Sequence, residues 1–133
     1  MMAVVEVAWF PPSRHVGFVH FRRTWCNNLC VDFLTTHPDI VSNREPIKGV
    51  GTALLDFIIS VARDIRAGEI WGETTSDSVR FYRKLLDDPK ADDRFRIRRR
   101  SFGPLLRGFA DRAWEPMMEK LDSTMGNADT RQP

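Results

Sequence analysis

Apolar side chains recur at steps of three and four from Leu54 through Leu55, Ile58, Ile59 and Ala62 to Ile65. That spacing predicts a helix from Gly51 to about Arg66 with one buried face, and Gly68 supplies a C-terminal glycine stop. Ahead of this helix the pattern changes to runs rich in β-branched and aromatic residues. Val4 to Phe10 and Val16 to Arg23 read as antiparallel strands joined by a turn at Pro11-Pro12-Ser13-Arg14, and Leu29 to Thr36 reads as a third strand. A polar loop, Pro38 to Pro46, separates this strand from the helix. Beyond Gly68, Glu69 to Thr75 predicts a short strand, Ser76 and Asp77 offer helix caps, and Val79 to Leu86 predicts a second, shorter helix. Arg94 to Phe102 predicts another strand. Leu105 to Leu121 is amphipathic, with Pro116 interrupting or restarting any helix there, and the small polar residues from Ser123 onward predict a disordered tail over 123–133.

At 133 residues the chain is the size of one domain, placed at 1–122. Apolar residues make up 42% and charged residues 29%, the balance of a soluble globular protein. No segment approaches the roughly 18 apolar residues needed to span a bilayer. Met1 to Phe10 is too short, and too interrupted by Glu6, to read as a signal peptide, so a cytoplasmic location is the default expectation. Cys26 and Cys30 are too few for a disulfide framework, and with only His37 nearby they do not complete a zinc set of about four ligands. No metal is expected.

The net charge of +2 says little about partners, but the stretch from Lys90 to Arg112 is locally basic. It could meet phosphates of a cofactor or nucleic acid. The alternation of Arg94, Arg96, Arg98 and Arg100 with Phe95 and Ile97 favours the plainer reading of a strand with one solvated face. Trp9, Trp25 and Trp71 lie in or beside strands, and core packing is the preferred reading for all three.

Chemistry enters at Lys48-Gly49-Val50-Gly51-Thr52, between the third strand and the long helix. Glycines at such a turn let the backbone approach a ligand, and the first helical N–H groups have no intrahelical partners and lie at the positive end of the helix dipole. This arrangement can hold a pyrophosphate. Alone it is a weak signal. Neither the G-x-x-x-x-G-K-[ST] of a P-loop nor the G-x-G-x-x-G of a dinucleotide site is present, since Leu54 stands where the third glycine would be.

Three stretches in order carry a more specific likeness: Val31-Asp32-Phe33-Leu34-Thr35-Thr36-His37-Pro38, the helix start Gly49-Val50-Gly51-Thr52-Ala53-Leu54-Leu55, and Thr75-Ser76-Asp77-Ser78-Val79-Arg80-Phe81-Tyr82-Arg83-Lys84-Leu85. Together they resemble consecutive motifs of the Gcn5-related N-acetyltransferase (GNAT) superfamily, over roughly Leu29 to Leu85. The resemblance implies an α/β protein of the α+β type, with a mixed, mainly antiparallel central sheet flanked by helices. It implies acetyl-coenzyme A as acyl donor, an amine-bearing acceptor, and a homodimer, which the superfamily often forms. Leu34, Thr35 and Thr36 then fall on the splayed strand whose backbone meets the pantetheine arm. Lys48, Gly49, Val50, Gly51 and Thr52 fall on the pyrophosphate loop, Thr75 replaces an asparagine that touches the cofactor, and Tyr82 matches the tyrosine that protonates the departing thiolate.

The chain also departs from the family pattern. Pro46 stands where an Arg or Gln is usual, the loop from Asp39 to Glu45 is longer, and Leu86-Asp87-Asp88-Pro89 replaces a common Gly-Phe. Fewer residues precede the third strand than the family's opening strand and two helices usually need, so the expectation is a shortened N-terminal part, with that wall of the acceptor site either missing or replaced by the C-terminal segment or a second subunit. No general base is assigned. Asp32 and Glu73 lie on the strands flanking the expected cofactor, but facing solvent or pairing with an arginine is the preferred reading for each; His15, His20 and His37 are left without a role. Two other functions stay open: a coenzyme A- or protein-binding module of the same fold without turnover, and a module acting on RNA.

Overall fold

The computed structural model describes residues 1–6, 15–38, 42 and 49–111, with backbone only for 2–6. Residues 7–14, with the Pro11 to Arg14 turn and Trp9, lie outside the described residues. So do most of the Pro38 to Pro46 loop, Lys48, Pro116 and the tail at 123–133.

Five strands form one sheet in chain order: β1 (Met2–Glu6), β2 (His15–Arg23), β3 (Leu29–Thr36), β4 (Glu69–Glu73) and β5 (Arg94–Arg98). All neighbours are antiparallel except β3 and β4, which run parallel. A parallel pair needs a crossover, and α1 (Val50–Asp64) is part of it, burying Val50, Leu54, Leu55, Ile58, Ile59 and Ala62. The edge of Phe57 meets the ring of Phe21 on β2, with centroids 6.2 Å apart. Gly17 lies beneath this helix, where a Cβ would collide with Val50.

The termination of α1 differs from the sequence expectation. Gly68 does not take a left-handed conformation; Arg66 does, at φ 57°. The amide of Ala67 donates to the carbonyl of Ala62 at 2.8 Å and that of Arg66 to Arg63 at 3.1 Å, the pairing of a Schellman motif. Asn27, itself left-handed in the β2–β3 turn, donates from its side chain to the carbonyls of Ile65 and Arg66 at 3.3 and 3.0 Å. A residue distant in sequence thus satisfies carbonyls that a glycine stop would leave to water.

α2 (Val79–Leu86) joins β4 to β5 and packs through Tyr82 and Leu85. On β5 the alternation holds, with Phe95 and Ile97 buried and Arg94, Arg96 and Arg98 exposed. The predicted strand to Phe102 stops earlier, however. Arg99 to Ser101 form a 3-10 turn, and residues 102–111 are helical, burying Phe102 and Phe109. Three successive arginines, Arg98 to Arg100, cannot alternate faces, and the apolar positions that follow keep a helical spacing.

Candidate functional site

Two features of β3 build the site. The first is a bulge: β2 and β3 pair through His20↔Phe33 and then Phe21↔Val31, so Asp32 is the extra residue. It places both Asp32 and Phe33 on the face of the sheet away from α1. The second is a splay. β3 and β4 pair only from Leu29↔Ile70 to Val31↔Gly72, yet β3 continues to Thr36. Beyond Val31 the strands part, and Leu34, Thr35 and Thr36 border the gap.

Two adjoining cavities occupy this gap. One of about 330 Å³ is lined by Leu34, Thr35 and Thr36 of β3, Gly51 of α1, and Thr75, Asp77, Ser78, Phe81 and Tyr82. The other, of about 480 Å³, shares Leu34, Thr35, Thr75, Ser78 and Tyr82 and adds Phe18, Val31, Asp32, Phe33 and Glu73. Six of the residues singled out in the sequence (Leu34, Thr35, Thr36, Gly51, Thr75 and Tyr82) therefore converge. Lys48 lies outside the described residues. Gly49, Val50 and Thr52 open α1 without lining either cavity, and the Val50 side chain belongs to the core.

The start of α1 has the geometry expected of an anion cradle. Gly49 caps it at φ 80°, a conformation suited to glycine, and no side chain caps the helix. The first intrahelical bond runs from the Ala53 amide to the Gly49 carbonyl at 2.8 Å, so the amides of Val50, Gly51 and Thr52 precede the intrahelical ladder. No acidic residue sits in this first turn. Gly51 has a structural role as well: a Cβ there would lie 3.0 Å from Cζ of Phe81, so its smallness lets α1 and α2 approach.

Ser78 is the N-cap of α2 and makes no side-chain capping bond; Thr75 and Ser78, rather than the expected Ser76 and Asp77, tie the turn that leads into the helix. The Thr75 amide donates to Ser78 Oγ at 2.9 Å and the Ser78 amide to Thr75 Oγ1 at 3.3 Å, a reciprocal pairing across that turn. Thr75 lines both cavities with its amide and hydroxyl already engaged. The signal was legible as Thr-x-x-Ser ahead of an apolar run.

Tyr82 is only 3% exposed, with its ring stacked on Phe95 at 4.1 Å and 6° and edge-on to Phe81 at 5.1 Å. Burial pushes its phenol up to about 12, because the phenolate would lose its hydration. Asp32 accepts from Arg22 Nε at 3.0 Å and meets His20 Nδ1 at 2.9 Å. The Arg22 hydrogen bond holds its carboxyl below the usual range, as the arginine-paired reading predicts. Glu73 is exposed at the end of β4. Cys30 is buried, which pushes its thiol up, while Cys26 is exposed; among the described residues no cluster of three potential metal ligands occurs. Trp25 is fully exposed at 103%, against the core expectation, and Trp71 is half-buried. The sequence reading missed Phe18, Phe33 and Ser78 as lining residues; the bulge brings Phe33 to the outward face beside Phe18, and the Thr75–Ser78 turn brings Ser78 to the gap.

No family model and no curated protein matches this sequence. Solved structures do match. An acetyltransferase from Bacillus cereus superposes with a TM-score of 0.54 at 21% identity, over 74% of this chain and 71% of that one. A GNAT-family acetyltransferase from Staphylococcus aureus gives 0.56 at 11% identity, over 74% and 67%. N-acetylglutamate synthase from Neisseria gonorrhoeae, solved with coenzyme A and N-acetyl-glutamate, gives 0.52 at 14%, over 73% of this chain and 25% of that one. The chain spans about half the length of other structures it matches, 48% in the case of Tetrahymena Gcn5. The fold is that of the GNAT acetyltransferases: a mixed α+β sheet opened between its two parallel strands. No described helix is long and apolar enough to cross a membrane.

Proposed function

We propose that the chain binds acetyl-coenzyme A in the gap between β3 and β4 and transfers the acetyl group to an amine. The observation that carries this reading is the convergence of Leu34, Thr35, Thr36, Gly51, Thr75 and Tyr82 on one cavity at the strand splay. The pyrophosphate rests against the amides of Val50, Gly51 and Thr52, beside the Gly49 cap, and the pantetheine arm runs along Leu34 to Thr36. The acceptor enters the larger cavity. Its neutral amine attacks the thioester carbonyl carbon, forming a C–N bond as the C–S bond breaks.

Tyr82 faces the sulfur as a hydrogen-bond donor. A phenol at about 12 stays neutral throughout the physiological range. It is a weak acid beside a thiol near ~8.5, so its proton passes to sulfur only as the proton of the new amide nitrogen is returned to the phenolate, directly or through water. The net products are the N-acetyl amine and the free thiol.

Titration calorimetry with acetyl-coenzyme A tests the cofactor assignment. Micromolar binding by the native chain is expected, with Gly51→Asp and Thr52→Glu each weakening it at least about tenfold by placing negative charge in the anion cradle. The second variant adds charge without a new Cβ against Phe81. Unchanged affinity in both would overturn the assignment. The burial of Tyr82, 3% exposed and stacked on Phe95, favours one further reading, coenzyme A binding without turnover; release of free thiol in the presence of amines separates the two.

A further inference from the structure

The larger cavity carries information about the acceptor that the cofactor half of the gap does not. Among the described residues its charged lining residues are Asp32 and Glu73, and both are carboxylates. The Asp32 charge is already offset by Arg22, and His20 Nδ1 lies 2.9 Å from its other oxygen. Glu73 is not offset in this way. Among the described residues it forms no ion pair, although Arg94 stands opposite it in the β4–β5 register. Arg22 lines only a smaller adjoining cavity, together with Trp71 and Glu73.

Thr35, Thr75 and Ser78 add hydroxyls on one side, and Phe18, Val31, Phe33 and Leu34 form an apolar wall. Phe18 and Phe33 lie side by side on the outward face, with centroids 6.2 Å apart, and Phe33 is 59% exposed. Exposing a phenyl ring at the mouth of a cavity has a use if a ligand covers it. A volume of about 480 Å³ suits a small organic molecule. The Glu73 carboxylate, which has no ion pair among the described residues, opposes phosphate-bearing or carboxylate-bearing acceptors.

Building on the acetyltransferase reading, we propose that the acceptor is a small cationic amine on an apolar, preferably aromatic, body. Glu73 receives its ammonium group, and Phe18, Phe33 and Leu34 cover its body. Glu73 selects and positions the amine; the ammonium gives up one proton to water before the free amine attacks.

Binding of phenethylamine and of hydrocinnamate, its carboxylate counterpart, can be measured on the native protein, Glu73→Gln and Phe33→Ala, with no acyl donor present. Both substitutions fall at exposed positions. The native protein is expected to prefer the amine at least tenfold, Glu73→Gln to abolish that preference, and Phe33→Ala to weaken the amine severalfold while keeping the preference. Equal binding of the two ligands, no binding of the amine at millimolar concentration, or a preference surviving in Glu73→Gln would each overturn the inference. A parallel acetyl-coenzyme A titration keeps the two readings apart: cofactor binding without amine selectivity sinks this inference alone, and absence of cofactor binding sinks the acetyltransferase reading.

Discussion

Tyr82 is the only tyrosine in the chain, so its ionisation can be followed by near-ultraviolet absorbance without assignment. The ring is 3% exposed, stacked on Phe95, and its phenol is pushed from 10.0 to about 12 by burial. In the unfolded chain the group should titrate near 10. A difference of about two units corresponds to ~2.7 kcal/mol between the protonation states. Because the folded-state value is the higher one, this contribution is fully present below pH ~10 and is lost as the pH rises towards ~12. Two curves are needed, one in buffer and one in denaturant, with far-ultraviolet circular dichroism on the same samples to locate unfolding. The native phenol should remain protonated at pH ~10.5, and stability should decline above that point by more in the native protein than in Tyr82→Phe. A tyrosine that titrates near 10 while the circular dichroism is still native would mean that the hydroxyl is solvated, and the stacked, buried geometry would be wrong. Repeating the titration with coenzyme A bound connects the measurement to function: a cofactor that excludes water beside the phenol should raise the midpoint further.

Two other substitutions probe the frame around the site. In Gly72→Ala the new methyl would stand 2.6 and 2.9 Å from ring atoms of Phe95 and 3.0 Å from the Val31 carbonyl. A loss of about 1–3 kcal/mol in denaturant unfolding is expected from overpacking, together with a lower Tyr82 midpoint as its stacking partner is displaced. An unchanged unfolding midpoint would show that Phe95 has room to move. Asn27→Gly keeps the left-handed backbone but removes the side-chain donors to Ile65 and Arg66; a loss of about 1 kcal/mol is expected, and a neutral result would mean that water replaces both bonds.

Local periodicity was a reliable guide wherever one element met one face of the core. β3 runs from Leu29 to Thr36 and α2 from Val79 to Leu86 as the pattern requires, and α1 differs from expectation by one residue at its start and two at its end. The errors arose where particular side-chain contacts decided the outcome. Asn27, distant in sequence, completes the end of α1 in place of Gly68, and Thr75 and Ser78 tie the turn before α2 instead of Ser76 and Asp77. Trp25 lies in the turn between β2 and β3 and is exposed there; an aromatic residue beside a strand gives no indication of whether it will reach the core.

Residue order and composition set which segments can form strands and helices and which of their faces are apolar, and they carry three stretches that resemble, in order, motifs of the GNAT superfamily. The bulge of β3 at Asp32 and its separation from β4 after Val31 come from three-dimensional strand pairing. Bulge and splay are properties of pairing between strands far apart in sequence, so no local pattern encodes them. They alone bring Phe18, Phe33, Glu73 and Tyr82 to the walls of one cavity.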